Sequence, residues 1–144
     1  MGEFVTRVSN AMTVENEIQT LFDTYLRAWN ARDFEGMAGL FTEPAVHVVL
    51  GGVASFPDRA AVAANLKERF AELESNGFDH AEIAAVEVRQ CNDATAMVDL
   101  RNIARLRADG SALEVIDAVY VCIKQDGNWR LSIAIGCWPN WKAD

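Results

Sequence analysis

Clustered positive charge is missing from this chain. Its 13 Lys and Arg are outnumbered by 21 Asp and Glu, for a formal net charge of −8. Phosphate binding needs concentrated Lys and Arg, so no nucleic-acid partner is expected. Cysteine is scarce: Cys91, Cys122 and Cys137 are an odd number without a CxxC pair. Cys122 and Cys137 sit in apolar strand-like runs, which favours small buried thiols over a metal site or a nucleophile. Long apolar runs are also absent. No stretch approaches a membrane span, and MGEFVTRVSNAM lacks the apolar core of a signal peptide. The expectation is a soluble cytoplasmic protein with no membrane partner and a loose segment over residues 1–12. There is no phosphate loop, no GxSxG elbow, no dinucleotide fingerprint and no metal-ligand spacing, so no cofactor and no metal are expected.

What is present is apolar pattern. The chain has 144 residues, 51% of them hydrophobic, which suits one domain over residues 13–144 with a real core. Ile18, Leu21, Phe22, Tyr25, Leu26 and Trp29 recur at i, i+3, i+4, i+7, i+8 and i+11, the spacing of one helix face. Tyr25 and Trp29 carry polar tips that need partners if buried. Thr13 is placed to cap this helix, which should end near Ala31–Arg32. Asp33 then caps a short second helix carrying Phe34, Met37, Leu40 and Phe41, closed by Pro44. Ala45 to Leu50 reads as a strand broken by Gly51-Gly52, with a loop to Pro57. Asp58 caps a third helix with a Val62, Leu66, Phe70, Leu73 stripe, stopped at Asn76-Gly77.

From Phe78 onward the period changes. Ile83–Cys91, Ala94–Leu106, Leu113–Lys124 and Trp129–Trp138 are strand-like, and Asp109-Gly110 and Asp126-Gly127 are strong hairpin signals. The pattern predicts an α+β fold, with three N-terminal helices packed in the concave face of a curved, mostly antiparallel sheet. Such a sheet leaves a cavity at its open end, suited to a small molecule.

The stretch TYLRAWNARDFEGMAGLFTEPAVHV resembles the opening of the nuclear transport factor 2-like superfamily, whose cue is a helix ending in an Asn/Gly-x-Asp break, then Leu-Phe and a Pro or Asp before the first strand. DRAAVAANL resembles that family's third-helix start. The superfamily includes ketosteroid isomerases, SnoaL-like cyclases and scytalone dehydratase, and the resemblance implies its cone-shaped fold from Val14 to Trp138 while leaving the activity open. Ketosteroid isomerase has a Tyr eight residues before the Asp of the helix break, as Tyr25 stands before Asp33. It also has a late-strand Asp, matched by Asp117 in Val115-Ile116-Asp117. The resemblance implies that Tyr25 and Asp117 form an oxyanion hole, the arrangement for which that isomerase is a worked example. The isomerase's Asp base aligns with Val49, so this chain lacks it.

The residues themselves leave two readings open at each position. Asp117 shares a strand face with Val115, Val119 and Val121, where a carboxylate must be protonated or paired, perhaps with an Arg of a neighbouring strand. Tyr25 is a pocket phenol or a core Tyr bonded to backbone. His47 shares a face with Val49 and is either a displaced general base or a satisfied rim histidine. Asn102 interrupts the Ala96, Val98, Leu100, Ala104, Leu106 face and offers an amide to the cavity. Trp29, Trp138 and Trp141 wall the cavity or pack the core, and His80 belongs to the surface. The expected catalytic set is therefore Tyr25, His47 and Asp117, with Trp29, Val49, Asn102 and Val119 against the ligand. The expected function is binding of a hydrophobic carbonyl compound, with isomerase, cyclase or dehydratase chemistry, or else a non-catalytic ligand-binding or dimerisation module. A homodimer is expected through the outer face of Thr95, Met97, Asp99, Arg101 and Ile103.

Overall fold

The computed structural model describes residues 2–143, with side chains from Val14 onward. The expected loose segment over residues 1–12 and the Thr13 cap fall on residues whose side chains lie outside that description. The elements run α1 (Gly2–Asn30), α2 (Phe34–Ala38), β1 (Phe41–Val49), β2 (Gly52–Phe56), α3 (Arg59–Ser75), β3 (His80–Asn92), β4 (Thr95–Leu106), β5 (Ala112–Gln125) and β6 (Asn128–Cys137). The six strands form one curved, unclosed sheet in the order β2-β1-β6-β5-β4-β3. Its pairings are antiparallel except for β1 with β6, which run parallel.

The helix ends follow local hydrogen-bond chemistry. The turn after α1 closes with Asp33 N–H donating to Ala28 O and Arg32 N–H to Trp29 O. This pairing places Arg32 in the left-handed region at φ 59°, a seat more often taken by glycine. The Asp33 carboxylate caps α2 by accepting from Gly36 N–H, and Asp58 caps α3 by accepting from Ala61 N–H. α3 ends on Gly77 at φ 100°, with Gly77 N–H on Glu74 O and Phe78 N–H on Leu73 O. Phe78 then packs back near Leu73, as the apolar contact of this capping motif requires.

Two expectations about the middle of the chain are corrected. Pro44 does not close a helix. It lies inside β1, in the segment between Phe41 and Val46 where the ladder to β6 shifts register. A residue without an N–H is tolerated where the ladder is interrupted. The expected loop to Pro57 contains β2, joined to β1 through Leu50 and Gly51 at φ 50° and 79°. Positive φ at both central residues is the two-residue hairpin geometry that matches strand twist. β2 is an edge strand and almost wholly exposed, so it carries no apolar alternation to reveal it.

Ile18, Leu21 and Phe22 of α1 pack with Val62 and Leu66 of α3 against Ala96, Val98, Leu100, Ala118, Tyr120, Cys122 and Leu131 of the sheet. A second cluster centres on Phe70, with the Trp29 ring 4.7 Å, the Phe78 ring 5.2 Å and the Phe34 ring 5.4 Å away. Asn30 ties α1 to β3 by two bonds to Ala81, accepting from its N–H at 2.8 Å and donating to its C=O at 2.9 Å. Cys122 is fully buried, and burial pushes its thiol up to about 12.

A bulge decides which residues face the helices. Leu100 pairs with Ala118 and Ile103 with Ile116, so Arg101 and Asn102 together oppose Asp117 alone. The extra residue reverses the alternation of β4. Leu100, Ile103 and Arg105 all face the cavity, whereas Asn102 is exposed at φ 52°. β3 shifts in step: Ile83 and Val86, three residues apart, both pack on the core. The regular alternation expected for β4 is thereby corrected. Ile103 leaves the outer face, and both it and Arg105 line the cavity.

Candidate functional site

A cavity of about 140 Å³ opens between α1, α3 and the concave side of the sheet. Most of its wall is apolar, with Trp29, Leu66, Leu100, Ile103, Ile116 and Ala118 contributing. Five lining residues carry strongly polar tips: Tyr25, Tyr120, His47, Arg69 and Arg105.

Tyr25 and Tyr120 meet hydroxyl to hydroxyl at 3.0 Å, with their rings edge to face at 5.8 Å between centroids. Burial holds the Tyr25 phenol well above its ordinary pKa, and the adjoining Tyr120 adds to the effect. Burial also raises Tyr120, while the bond from Tyr25 works against that rise. Two hydroxyls that share one hydrogen bond hold one further proton to donate.

His47 is 8% exposed and packs between Phe41, tilted at 5.6 Å, and Phe56, edge to face at 5.0 Å between ring centroids. Burial first, and the Arg69 charge second, lower its pKa to about 4. The ring is therefore neutral around pH 7. Asn65 Nδ2 lies 3.4 Å from Nδ1. An amide N–H donating there assigns the ring proton to Nε2, and Nε2 is buried with no partner.

The two guanidinium groups differ. Arg105 is paired with Glu114. Arg69 has no ion pair or side-chain hydrogen bond among the described residues. It lines both this cavity and an adjoining cleft with Val53, Ala54 and Phe56 of β2, and His47 and Val49 are the other two residues common to both.

Of the residues expected at a site, Tyr25, Trp29, His47 and Val49 are brought together on the cavity wall. Asp117, Val119 and Asn102 are not. Asp117 and Val119 point to the opposite face from Ile116, Ala118 and Tyr120, because alternate residues of a strand face opposite ways. Asp117, 0% exposed, accepts from Asn102 N–H at 2.9 Å and Asn140 N–H at 3.1 Å. The Arg101 guanidinium lies 3.6 Å away. Its partners are therefore backbone amides and an arginine, and the pairing with Tyr25 is not formed. His80 lies partly exposed at the start of β3, with Nδ1 2.9 Å from Asp79. Trp138 is exposed and does not line the cavity.

Arg69, Tyr120 and Arg105 were not anticipated. Arg69 falls on the Val62, Leu66, Leu73 stripe at helical spacing, a cation on an apolar face, and was legible there. Tyr120 lies on Ile116, Ala118, Cys122, an apolar face as continuous as the one holding Asp117. Arg105 gave no signal, since only the bulge turns it inward.

Among the described residues no group of three His, Cys, Asp or Glu is placed to hold a metal ion, and no helix is long and apolar enough to cross a membrane.

Helices cradled by a curved, unclosed mixed sheet with a cavity at its open end define the cone-shaped NTF2-like class with a cystatin-like fold. The chain belongs to the family described as NTF2-like protein (DUF6841), whose family model matches residues 16–137. An NTF2-like protein from Novosphingobium aromaticivorans superposes with a TM-score of 0.77 at 18% identity, over 99% of this chain and 92% of that one. An NTF2-like protein of unknown function from Pseudomonas putida gives 0.71 at 16% identity, over 89% and 88%. Aln2 from a Streptomyces species gives 0.70 at 17% identity, over 88% and 91%. At such identities the likeness establishes the fold alone. No curated protein matches the chain.

Proposed function

We propose that this protein binds a small hydrophobic molecule in the cone, with a ring against the apolar wall and an oxygen acceptor at the Tyr25–Tyr120 pair. The observation that carries the reading is the shared hydrogen bond of two buried hydroxyls. It leaves one phenolic proton uncommitted inside a mostly apolar cavity, and a carbonyl oxygen would accept it. The Tyr25–Asp117 oxyanion site is replaced in this reading by Tyr25–Tyr120. A volume of about 140 Å³ suits roughly one six-membered ring, since an engineered cavity of similar size binds benzene.

Binding is favoured over turnover by the chemistry of the wall. Proton abstraction needs a base matched to the working pH. His47, with a pKa near 4, is a weak one, and the tyrosines stay protonated. Val49 offers no carboxylate. Acetophenone, a ring-bearing ketone, is a suitable probe. Titrated into labelled protein, it should shift amide resonances of Tyr25, Trp29, Ile116 and Tyr120, and the shifts should vanish in a folded Ala118→Phe variant whose cavity is filled. Shifts confined to other surfaces, or none at all, would overturn the reading.

A further inference from the structure

We infer that the preferred ligand is a ring-bearing monocarboxylate, with its ring in the cavity and its carboxylate at the boundary marked by Arg69 and His47. The inference rests on the ring site of the cavity reading above and sets the ligand's oxygens at Arg69 and His47 in place of the Tyr25–Tyr120 pair.

Three observations converge on that boundary. Arg69 is partly buried on α3 and has neither a carboxylate nor a side-chain hydrogen-bond partner among the described residues; Arg27, Arg107 and Arg130 also lack a carboxylate, but Arg27 is exposed and the other two donate to Ala112 O and Gly39 O. A cation held beside an apolar wall without a counter-charge is costly, and a bound anion would relieve that cost. His47 shares both cavities with Arg69, and its Nε2 is buried without a partner; in the tautomer whose Nδ1 accepts from Asn65, Nε2 is a donor. A buried donor left unmade costs the desolvation of that group. The polar side chains of the wall, in these protonation states, are donors or cations, with no carboxylate among the lining residues to repel an acid.

The alternative is a neutral ligand. An amide or ketone could accept the Nε2–H but would leave Arg69 without a counter-charge. A carboxylate has two acceptor oxygens, one for the guanidinium and one for the imidazole, and bonds to a charged acceptor are roughly twice as strong as neutral ones. The ring is limited to about one by volume, and Val49 and Phe56 leave room for a short linker along the cleft.

Calorimetry with 3-phenylpropionate and its neutral isostere 3-phenylpropanamide tests the idea on the wild-type chain. The acid should bind about ten- to a hundredfold more tightly than the amide. Arg69→Met should bring the two within about threefold by weakening the acid alone, and Arg69→Lys should keep part of the preference. If either variant fails to fold, the acid-to-amide ratio of the wild type still decides. Equal affinities for acid and amide would overturn the carboxylate inference and leave the cavity reading intact. Absence of binding by either compound would overturn both.

Discussion

Asp117 Oδ1 accepts the backbone N–H of Asn102 at 2.9 Å, across the bulge where two residues of β4 oppose one of β5. Its other oxygen accepts Asn140 N–H from the segment after β6. One buried carboxylate thus satisfies two backbone donors that the sheet ladder leaves over and draws the C-terminal segment onto the outer face. Asp99, also fully buried on that face, takes Arg89 at 3.1 Å and Lys142 at 3.0 Å. Asp117 holds the β4 bulge through the Asn102 N–H, and that bulge turns Ile103 and Arg105 toward the cavity.

Asp117→Asn should therefore destabilise the fold. An amide has one acceptor oxygen and turns an NH₂ toward the second backbone donor. Loss of one charged hydrogen bond should cost about 2–3 kcal/mol, read as a lower urea midpoint at unchanged slope. An unchanged midpoint would show that the bulge holds without the carboxylate.

His47 sets a pH dependence. In the unfolded chain its pKa is about 6.5, and in the folded chain it is about 4. Between these values the unfolded state binds the proton and the folded state does not, so stability falls as pH falls. The full contribution is about 3 kcal/mol, at roughly 1.4 kcal/mol for each pH unit. Unfolding of wild type and His47→Gln should differ by a constant amount above about pH 7. The difference should move against the wild type by about 3 kcal/mol on the way to pH 4. Parallel curves across that window would mean that the ring titrates normally.

Both tyrosines of the chain belong to the buried pair, and both are raised above 10. Absorbance near 295 nm should show less phenolate at pH 10 than the half-ionised signal of free tyrosine while the fold persists. Stability should decline as pH rises past 10, because the unfolded chain releases protons that the folded pair retains. A half-titrated signal at pH 10 in folded protein would mean that one hydroxyl reaches solvent.

Leu50 is 90% exposed and sits at φ 50° in the β1–β2 turn. Left-handed backbone is costly for a leucine and far less so for asparagine. Leu50→Asn should raise stability by about 0.5–1 kcal/mol in urea unfolding. A loss instead would show that the Leu50 side chain makes a contact the turn depends on.

The sequence by itself determined the three helices and the four long strands of the second half, though not where α2 ends or that β2 exists. Helix periodicity placed the Ile18–Trp29 stripe, Asp33 and Asp58 announced two caps, Gly77 stopped α3, and two Asp-Gly pairs marked hairpins. These are local effects, settled by residues within a turn or a strand of one another, so a linear reading reaches them. Of the site, Tyr25, Trp29, His47 and Val49 were legible because each follows the period of its own element. Tertiary structure decided the rest. β5 is apolar on both sides, so period two could not say which face is concave; Asp117 and Val119 fell outside, and Tyr120 inside. The bulge, set by a carboxylate on the neighbouring strand, moved Asn102 out and Arg105 in. The parallel pairing of β1 with β6 and the edge strand β2 arise from contacts between segments distant in sequence. Which side of a strand meets the helices depends on that register, and register is a property of the partner strand as much as of the strand itself.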